Sequence, residues 1–199
     1  YLNDGVAVNA VNVPAMTEEG YRAVAPYAVL AERLGTFAAH VAVGNPKLVR
    51  LVYHGSMLPQ NTRMIRNAGL AGVLSRSLER KANVVNAMKL AANRGLNFAE
   101  RFERPTGHTD TIRIELDTDK GTTTVEGAIV LDHPRLLAVD GIHCEAPLVG
   151  HLMFFSIQDV PGVMGYIGAV TGRNNINIAT LSMGRQAKPA HAGEPARGI

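Results

Sequence analysis

The hydrophobic positions divide the chain into a first half with helical spacing and a second half dominated by strand spacing. Thr17 is suited to cap a short helix over residues 18–24, and Pro26 is suited to open a second, stronger helix. In that second helix the apolar residues recur three and four positions apart, at Tyr27, Leu30, Leu34, Phe37 and Val41. Gly44 is predicted as its C-terminal cap. Two more helices are predicted over Thr62–Leu74 and Val84–Asn93, and strands over Leu48–His54 and residues 96–102.

The spacing changes to a period of two after Asp110. Apolar residues then alternate with charged ones at Ile112, Ile114 and Leu116, which is typical of a half-buried strand. The segment Asp117–Gly121 is predicted as a hairpin loop, followed by a returning strand with Val125, Ile129 and Leu131 on one face. A third strand is predicted over Leu136–Ile142. The pattern therefore predicts an α+β fold for residues 17–147, with helices packed on an antiparallel sheet.

The last fifty residues begin with a strand, a loop and a helix. Leu152–Ile157 is an apolar run of strand length, Pro161 suits the first turn of a helix, and Asn174 and Asn175 end that helix. Ile176 and Ile178 predict a second strand. Three glycines share one side of the helix, where each is unfavourable relative to alanine, so we expect backbone or ligand to approach closely there: Gly162, Gly165 and Gly168.

Composition narrows the class of protein. The chain has 199 residues, of which 46% are hydrophobic and 19% charged, and it contains no tryptophan. No apolar run reaches the length needed to span a bilayer. The formal net charge is +3, and lysines and arginines are scattered, which argues against a nucleic-acid surface. Cys144 is the single cysteine, which excludes an internal disulfide and fits a reducing compartment.

One phrase near the C-terminal end resembles a known ligand-binding module. Asp159-x-Pro-Gly-Val-x-Gly-x-x-Gly168, followed by Asn175-Ile-Asn-Ile-Ala179, is similar to the first half of an ACT domain in the form found in D-3-phosphoglycerate dehydrogenases. A dinucleotide fingerprint is the alternative for closely spaced glycines. That fingerprint needs a G-x-G pair and an acidic residue about 20 positions later, and both are missing here.

The region before it, about residues 17–147, resembles the intervening, "allosteric substrate-binding" domain of the longer bacterial D-3-phosphoglycerate dehydrogenases. The phrases that carry this resemblance occur in the family's order: Tyr27-Ala-Val-Leu-Ala-Glu-Arg-Leu-Gly35, Ala82-Asn-Val-Val-Asn-Ala87 with Arg94-Gly95, and Val139-Asp-Gly-Ile-His143. Residues 1–16 resemble the segment that leaves the family's substrate domain, and are interpreted as a connecting tail.

The resemblance implies a parent enzyme that oxidises 3-phosphoglycerate with NAD at the start of serine synthesis, in the cytoplasm. We expect this chain to be its C-terminal regulatory portion, with residues 150–199 forming the first half of the ACT domain. The chain carries no catalytic or NAD-binding domain and no cofactor of its own, so it is not expected to act as a dehydrogenase. Residues 186–199, rich in proline and small residues, are predicted to be a mobile loop.

The resemblance also implies an effector site between two ACT modules of a homodimer or homotetramer. It assigns L-serine or a related amino acid to the loop formed by Asp159, Val160, Pro161 and Gly162, together with Asn177. A carboxylate or amide there can hold an ammonium group, and N–H groups at the helix start can receive a carboxylate. The alternative is that Asp159 only caps the helix and Asn177 only stabilises a turn.

A weaker anion site is implied for the intervening domain. His143 occupies the position of an anion-binding histidine and would need cationic partners such as Arg50, Arg135 or Arg113. Pro147 stands where some relatives have an arginine, and an exposed loop histidine is the alternative. Asn83 and Asn86 are interpreted as helix caps. No histidine spacing predicts a metal site, and no serine lies in a nucleophile motif.

Two other functions remain open from the sequence. Iron–sulfur L-serine dehydratases carry similar intervening and ACT modules, although they need cluster cysteines and this chain has only Cys144. A stand-alone amino-acid sensor with no enzyme attached is the third possibility. The coding sequence upstream of Tyr1 separates the three: a G-x-G-x-x-G strand–helix unit indicates the dehydrogenase, and a cysteine cluster indicates the dehydratase.

Overall fold

A computed structural model of the chain describes residues 17–55, 62–77, 82–104, 109–187 and 196–199. The connecting tail expected over residues 1–16 lies outside the described residues, as does part of the predicted C-terminal loop, residues 188–195.

The described residues form four α-helices and eight strands. The helices are α1 (Glu18–Val41), α2 (Thr62–Leu74), α3 (Ala87–Asn93) and α4 (Val163–Arg173), with a short 3-10 turn at Ser75–Ser77. The strands are β1 (Pro46–His54), β2 (Asn97–Glu103), β3 (Thr111–Thr118), β4 (Gly121–Val130), β5 (His133–Val139), β6 (Ile142–Pro147), β7 (Ile157–Gln158) and β8 (Arg197–Gly198).

Strands β1 to β6 form one sheet in the order β2-β1-β3-β4-β5-β6. The pair β1 and β2 is parallel and is connected through α2 and α3, whereas every other neighbouring pair is antiparallel. Helices α1 and α2 cover one face of this sheet, where Leu51, Ile114 and Val125 are fully buried. The predicted α+β fold, with helices on a mostly antiparallel sheet, is confirmed.

Helices α1 and α2 pack closely against each other at glycine residues. A Cβ atom on Gly35 would lie 2.3 Å from the carbonyl oxygen of Gly69, and one on Gly72 would lie 2.1 Å from the carbonyl oxygen of Glu32. Such distances are shorter than any real Cβ contact, so the two helix backbones touch directly. The glycines are therefore required by packing rather than by a turn.

Helix α1 is longer than predicted, because the short helix and the Pro26 helix are one continuous element. Thr17 caps it as expected, since its Oγ1 accepts a hydrogen bond from the Gly20 N–H at 3.1 Å. Pro26 lies inside the helix and not at its start, so the helix loses one main-chain hydrogen bond there. The predicted cap at Gly44 is also wrong, because α1 ends at Val41 with Ala42 as its extended C-cap residue.

The face of the sheet opposite the helices carries interlocked ion pairs. Glu115 lies within ion-pair distance of three guanidinium groups, those of Arg50, Arg101 and Arg113. Glu103 is 2.7 Å from Arg101 and accepts a hydrogen bond from Nε2 of the buried His54 at 2.5 Å. Charged side chains therefore extend across β1, β2 and β3 on this face.

The antiparallel part of the sheet has one strand more than predicted. The single strand expected over Leu136–Ile142 is two strands, β5 and β6, joined by a tight turn at Asp140 and Gly141. Both turn residues have positive φ, +48° and +75°, which is the conformation of a two-residue hairpin of the primed type.

The C-terminal unit is smaller in regular structure than predicted. Ile157 is the one residue of the Leu152–Ile157 run that lies in a strand, β7, which it forms with Gln158, and residues 176–184 form none. Helix α4 ends before Asn174 as expected. Residues 196–199, expected within a loop, instead contribute β8, which pairs with β7 on one side and bridges to Arg185 on the other. Among the described helices, none is both long and apolar enough to cross a membrane.

Candidate functional site

The loop from β7 to α4 is held by main-chain hydrogen bonds. The Asp159 N–H donates to the carbonyl oxygen of Ala196 at 2.8 Å, and the Val160 N–H donates to that of Gln158 at 3.0 Å. Gly162 has φ +96° and precedes the first helical residue, a left-handed conformation that favours glycine. Pro161 and Gly162 form the turn between Asp159 and the start of α4.

A recess of about 300 Å³ lies between this loop and the chain segment at Met183 to Arg185. Val163, Gly165 and other residues of the first turn of α4 line it, so it includes the end of the helix that carries unpaired N–H groups. Ile157, Met164 and Met183 supply apolar surface, while Asp159 and Arg185 supply charge. Four of the predicted effector residues therefore line one cavity: Asp159, Val160, Pro161 and Gly162.

Asp159 and Arg185 form a two-point ion pair across the recess. The Arg185 Nε lies against Oδ2 of Asp159, and its Nη2 donates to Oδ1 at 3.2 Å. The Asp159 side chain is only 16% exposed, whereas that of Arg185 is 63% exposed. Arg185 was not predicted as a site residue. It ends the motif-bearing segment, but nothing in its spacing predicts that β8 would place it opposite Asp159.

Strand β8 fixes the main chain on both sides of this pair. The Gly184 N–H donates to the Ile199 carbonyl at 2.8 Å, and the Gln186 N–H donates to the Arg197 carbonyl at 2.8 Å. On the other side Ile157 and Gln158 pair with the same strand. The two sides of the recess are therefore joined through β8.

Asn177 lies apart from the recess. Its side chain is exposed, and it is not among the residues that line the cavity of its own chain. The glycine side of α4 is also open, because a Cβ atom placed on Gly162, Gly165 or Gly168 would meet nothing within 4 Å. The close approach expected at these glycines is therefore not made by the part of this chain that the structure describes.

Of the residues predicted for an anion site, Arg50 and Arg113 lie on other strands than Arg135 and His143, which are on the neighbouring strands β5 and β6. Arg50 lies on β1 and pairs with Glu115 and with Asp117, the latter at 3.7 Å. Strands β3 and β4 separate β1 from β5, which carries Arg135, and from β6, which carries the exposed His143. Arg113, the other cation considered, faces Glu103, Glu115 and Glu126.

Arg135 has one feature that fits a binding role. Its Nε atom is buried and has no hydrogen-bond partner within the described residues, and the nearest carboxylate oxygen, on Glu145, is 4.0 Å away. Asn83 and Asn86 were predicted to cap a helix beginning near Val84, but α3 begins at Ala87 and its N-cap residue, Asn86, forms no capping hydrogen bond with its side chain. The two side chains instead stabilise the turn that precedes the helix. The Asn83 side chain accepts from the Val85 and Asn86 N–H groups, and that of Asn86 accepts from the Asn83 N–H.

The titratable side chains of the described residues do not cluster as a metal site requires. Within the described ranges, no group of three or more His, Cys, Asp or Glu side chains is arranged to hold a metal ion. Cys144 is half-buried, and burial raises the pKa of its thiol. The groups present at the recess are one carboxylate, one guanidinium group and a helix N-terminus.

Comparison with known proteins decides the family. A family model described as the D-3-phosphoglycerate dehydrogenase intervening domain matches residues 23–140, which is more than half of the chain. The chain belongs to the D-3-phosphoglycerate dehydrogenase family. The matched region begins within α1 and contains α2, α3 and strands β1 to β5, so the predicted resemblance of residues 17–147 to the intervening domain is confirmed there.

Curated relatives extend the similarity over most of the chain. It is 31% identical over 188 residues to the D-3-phosphoglycerate dehydrogenase of Bacillus subtilis, covering 93% of this chain and 36% of the relative. It is 34% identical over 185 residues to that of Methanocaldococcus jannaschii, covering 93% and 35%. It is 28% identical over 202 residues to D-3-phosphoglycerate dehydrogenase 2, chloroplastic, of Arabidopsis thaliana, covering 92% and 32%. The chain thus spans about a third of the length of these relatives.

Proposed function

We propose that this chain is the regulatory part of a D-3-phosphoglycerate dehydrogenase and binds an amino-acid effector, L-serine or a close relative, at the recess around Asp159. The observation that carries the proposal is the recess itself. It combines a mostly buried carboxylate, which suits an ammonium group, with the N-terminus of α4, which suits a carboxylate. A free amino acid carries both groups.

The parent activity in this proposal is the oxidation of 3-phosphoglycerate with NAD, in the cytoplasm. The dehydrogenase names of the curated relatives support this over an iron–sulfur serine dehydratase or a sensor with no enzyme attached. The NAD site and the catalytic groups belong to other parts of such an enzyme. The residues of this chain supply binding and a route by which an effector can favour one domain arrangement over another.

The effector site is proposed to be completed by a second copy of the chain. Asn177 is exposed and lies outside the recess of its own chain, while the glycine side of α4 and the side chain of Tyr166 are open. An isologous dimer through this module places the same surface on both subunits against each other and can bring the partner subunit's amide to the recess. A homodimer or homotetramer follows from this arrangement.

Titration calorimetry tests the effector proposal on the protein expressed from its complete coding sequence. L-serine is expected to bind saturably, and Asp159→Asn is expected to weaken binding about tenfold or more, because a charge-assisted hydrogen bond is lost. Asp132→Asn is the matched control: it makes the same change at an exposed turn between β4 and β5. Equal affinity in the wild type and in Asp159→Asn would refute the site, and absence of binding by any amino acid would refute the function.

A further inference from the structure

Arg185 already occupies the carboxylate of Asp159 to which the effector's ammonium group is proposed to bind. The guanidinium group engages both oxygens of the carboxylate that the effector's ammonium group is proposed to bind. An ammonium group therefore has to replace Arg185 at Asp159. The main chain on both sides is held by β8, so this replacement is a movement of the Arg185 side chain.

The exposures of the two side chains show which partner tolerates separation. Asp159 is 16% exposed, and a carboxylate that is largely shielded from water is destabilised if it loses its cation without a substitute. Arg185 is 63% exposed, so water can solvate its guanidinium group once it leaves. Opening the pair thus requires a ligand that carries a positive charge to Asp159.

We propose that Arg185 is the specificity-determining residue of this recess and binds the effector's carboxylate after the effector's ammonium group has displaced it from Asp159. The inference rests on the proposed function of the same site. One ion pair within the protein is exchanged for two between protein and ligand, and every charge remains matched. The recess therefore selects α-amino acids with a free carboxylate over amines that lack one, and it rejects carboxylates that lack an ammonium group.

Two groups could receive the effector's carboxylate, the N–H groups at the start of α4 and the guanidinium group of Arg185, and the two cases predict different effects of removing Arg185. If the N–H groups of α4 were the only carboxylate receptor, Arg185 would merely compete with the ligand for Asp159. Removing Arg185 would then strengthen the binding of every ammonium ligand equally. If Arg185 also receives the carboxylate, its removal instead reduces the difference between ligands with and without that group.

The test compares two probes, L-serine and L-serine methyl ester, by titration calorimetry on the protein expressed from its complete coding sequence. Measurements at about pH 6 keep the amine of both probes protonated, because the usual α-amino pKa lies above that value. The wild type is expected to prefer L-serine by about tenfold or more, the size of one charge-assisted two-point contact. In Arg185→Gln the preference should fall severalfold, to what the N–H groups at the start of α4 supply alone, and Arg185→Lys should retain more of it.

Arg173→Gln is the matched control, because Arg173 is an exposed arginine in the last turn of α4, at the opposite end of the helix from the recess. Its preference should equal that of the wild type. An unchanged preference in Arg185→Gln, with tighter or equal binding of both probes, would overturn the inference while leaving serine binding, and thus the proposed function, intact. Failure of both probes to bind the wild type would overturn the two together.

Discussion

Gly35 and Gly69 bring the backbones of α1 and α2 into direct contact, since a Cβ atom on Gly35 would lie 2.3 Å from the Gly69 carbonyl oxygen. The same Cβ would also lie 3.0 Å from the Val73 main-chain nitrogen. These neighbours belong to a helix backbone and cannot rotate away as a side chain would. The two helices that cover the sheet can therefore pack this closely only where a side chain is absent, as it is at Gly35.

Gly35→Ala is expected to destabilise the fold by about 1–3 kcal/mol, because the added methyl group forces the helices apart. Gly168→Ala is the control, because a Cβ atom there meets nothing within 4 Å. This variant is expected to be no less stable than the wild type, since alanine is favoured over glycine in a helix by about 0.8–1.0 kcal/mol. Urea unfolding of both variants measures the difference. A Gly35→Ala variant as stable as the wild type would show that the helices do not pack this closely.

The ion pairs on the open face of the sheet predict a dependence of stability on pH. Burial acts to raise the pKa of Glu103, but the hydrogen bond from His54 and the charges of Arg101, His54 and Arg113 outweigh it, so the pKa is lowered. A carboxyl group whose pKa is lower in the folded state stabilises that state fully above its unfolded pKa. This contribution is lost as the pH falls through the lowered value.

Glu103→Gln is therefore expected to reduce stability at neutral pH and to have a progressively smaller effect in acid. Urea unfolding between about pH 7 and pH 3 measures this. Glu32→Gln serves as the control, because Glu32 is exposed and its side chain forms no ion pair with any described residue. An effect of Glu103→Gln that is the same at both ends of the range would contradict the assigned role.

Leu131 offers a stabilising substitution. It lies in the turn between β4 and β5 with φ +48° and is 88% exposed, so it is strained without contributing packing. Asparagine tolerates this left-handed conformation better than leucine does. Leu131→Asn is expected to stabilise the protein by about 0.5–1 kcal/mol. Val43→Asn, an exposed position without positive φ, should give no such gain in thermal unfolding.

Helices and strands were predicted correctly from the sequence where the hydrophobic period and a local signal agreed. Helix α2 has the predicted bounds, Thr62–Leu74, and the alternation at Ile112, Ile114 and Leu116 is that of β3. In α1 the apolar spacing correctly identified Leu30 and Leu34, which are fully buried. It did not indicate that the rest of the buried stripe consists of small residues, because alanine and glycine carry little hydrophobic signal.

Other features could not be predicted from the sequence, because they depend on the folded structure. The turn at Asp140 and Gly141 lies inside an apolar run, so β5 and β6 were predicted as one strand, although an Asp-Gly pair is a known hairpin signal. Pro26 was predicted to start a helix, but packing of α1 on the sheet offsets the lost hydrogen bond. Arg185 lies 26 residues from Asp159, and only the pairing of β8 brings the two side chains together.

The most direct test of the account is a rate measurement on the protein expressed from its complete coding sequence. NADH formation from 3-phosphoglycerate and NAD is followed with and without L-serine, in the wild type, in Asp159→Asn and in Asp132→Asn. We predict that serine lowers the rate of the wild type and of Asp132→Asn, and that Asp159→Asn requires about tenfold more serine or more for the same fractional effect. A wild-type rate that serine leaves unchanged, or an equal response in all three proteins, would contradict the account.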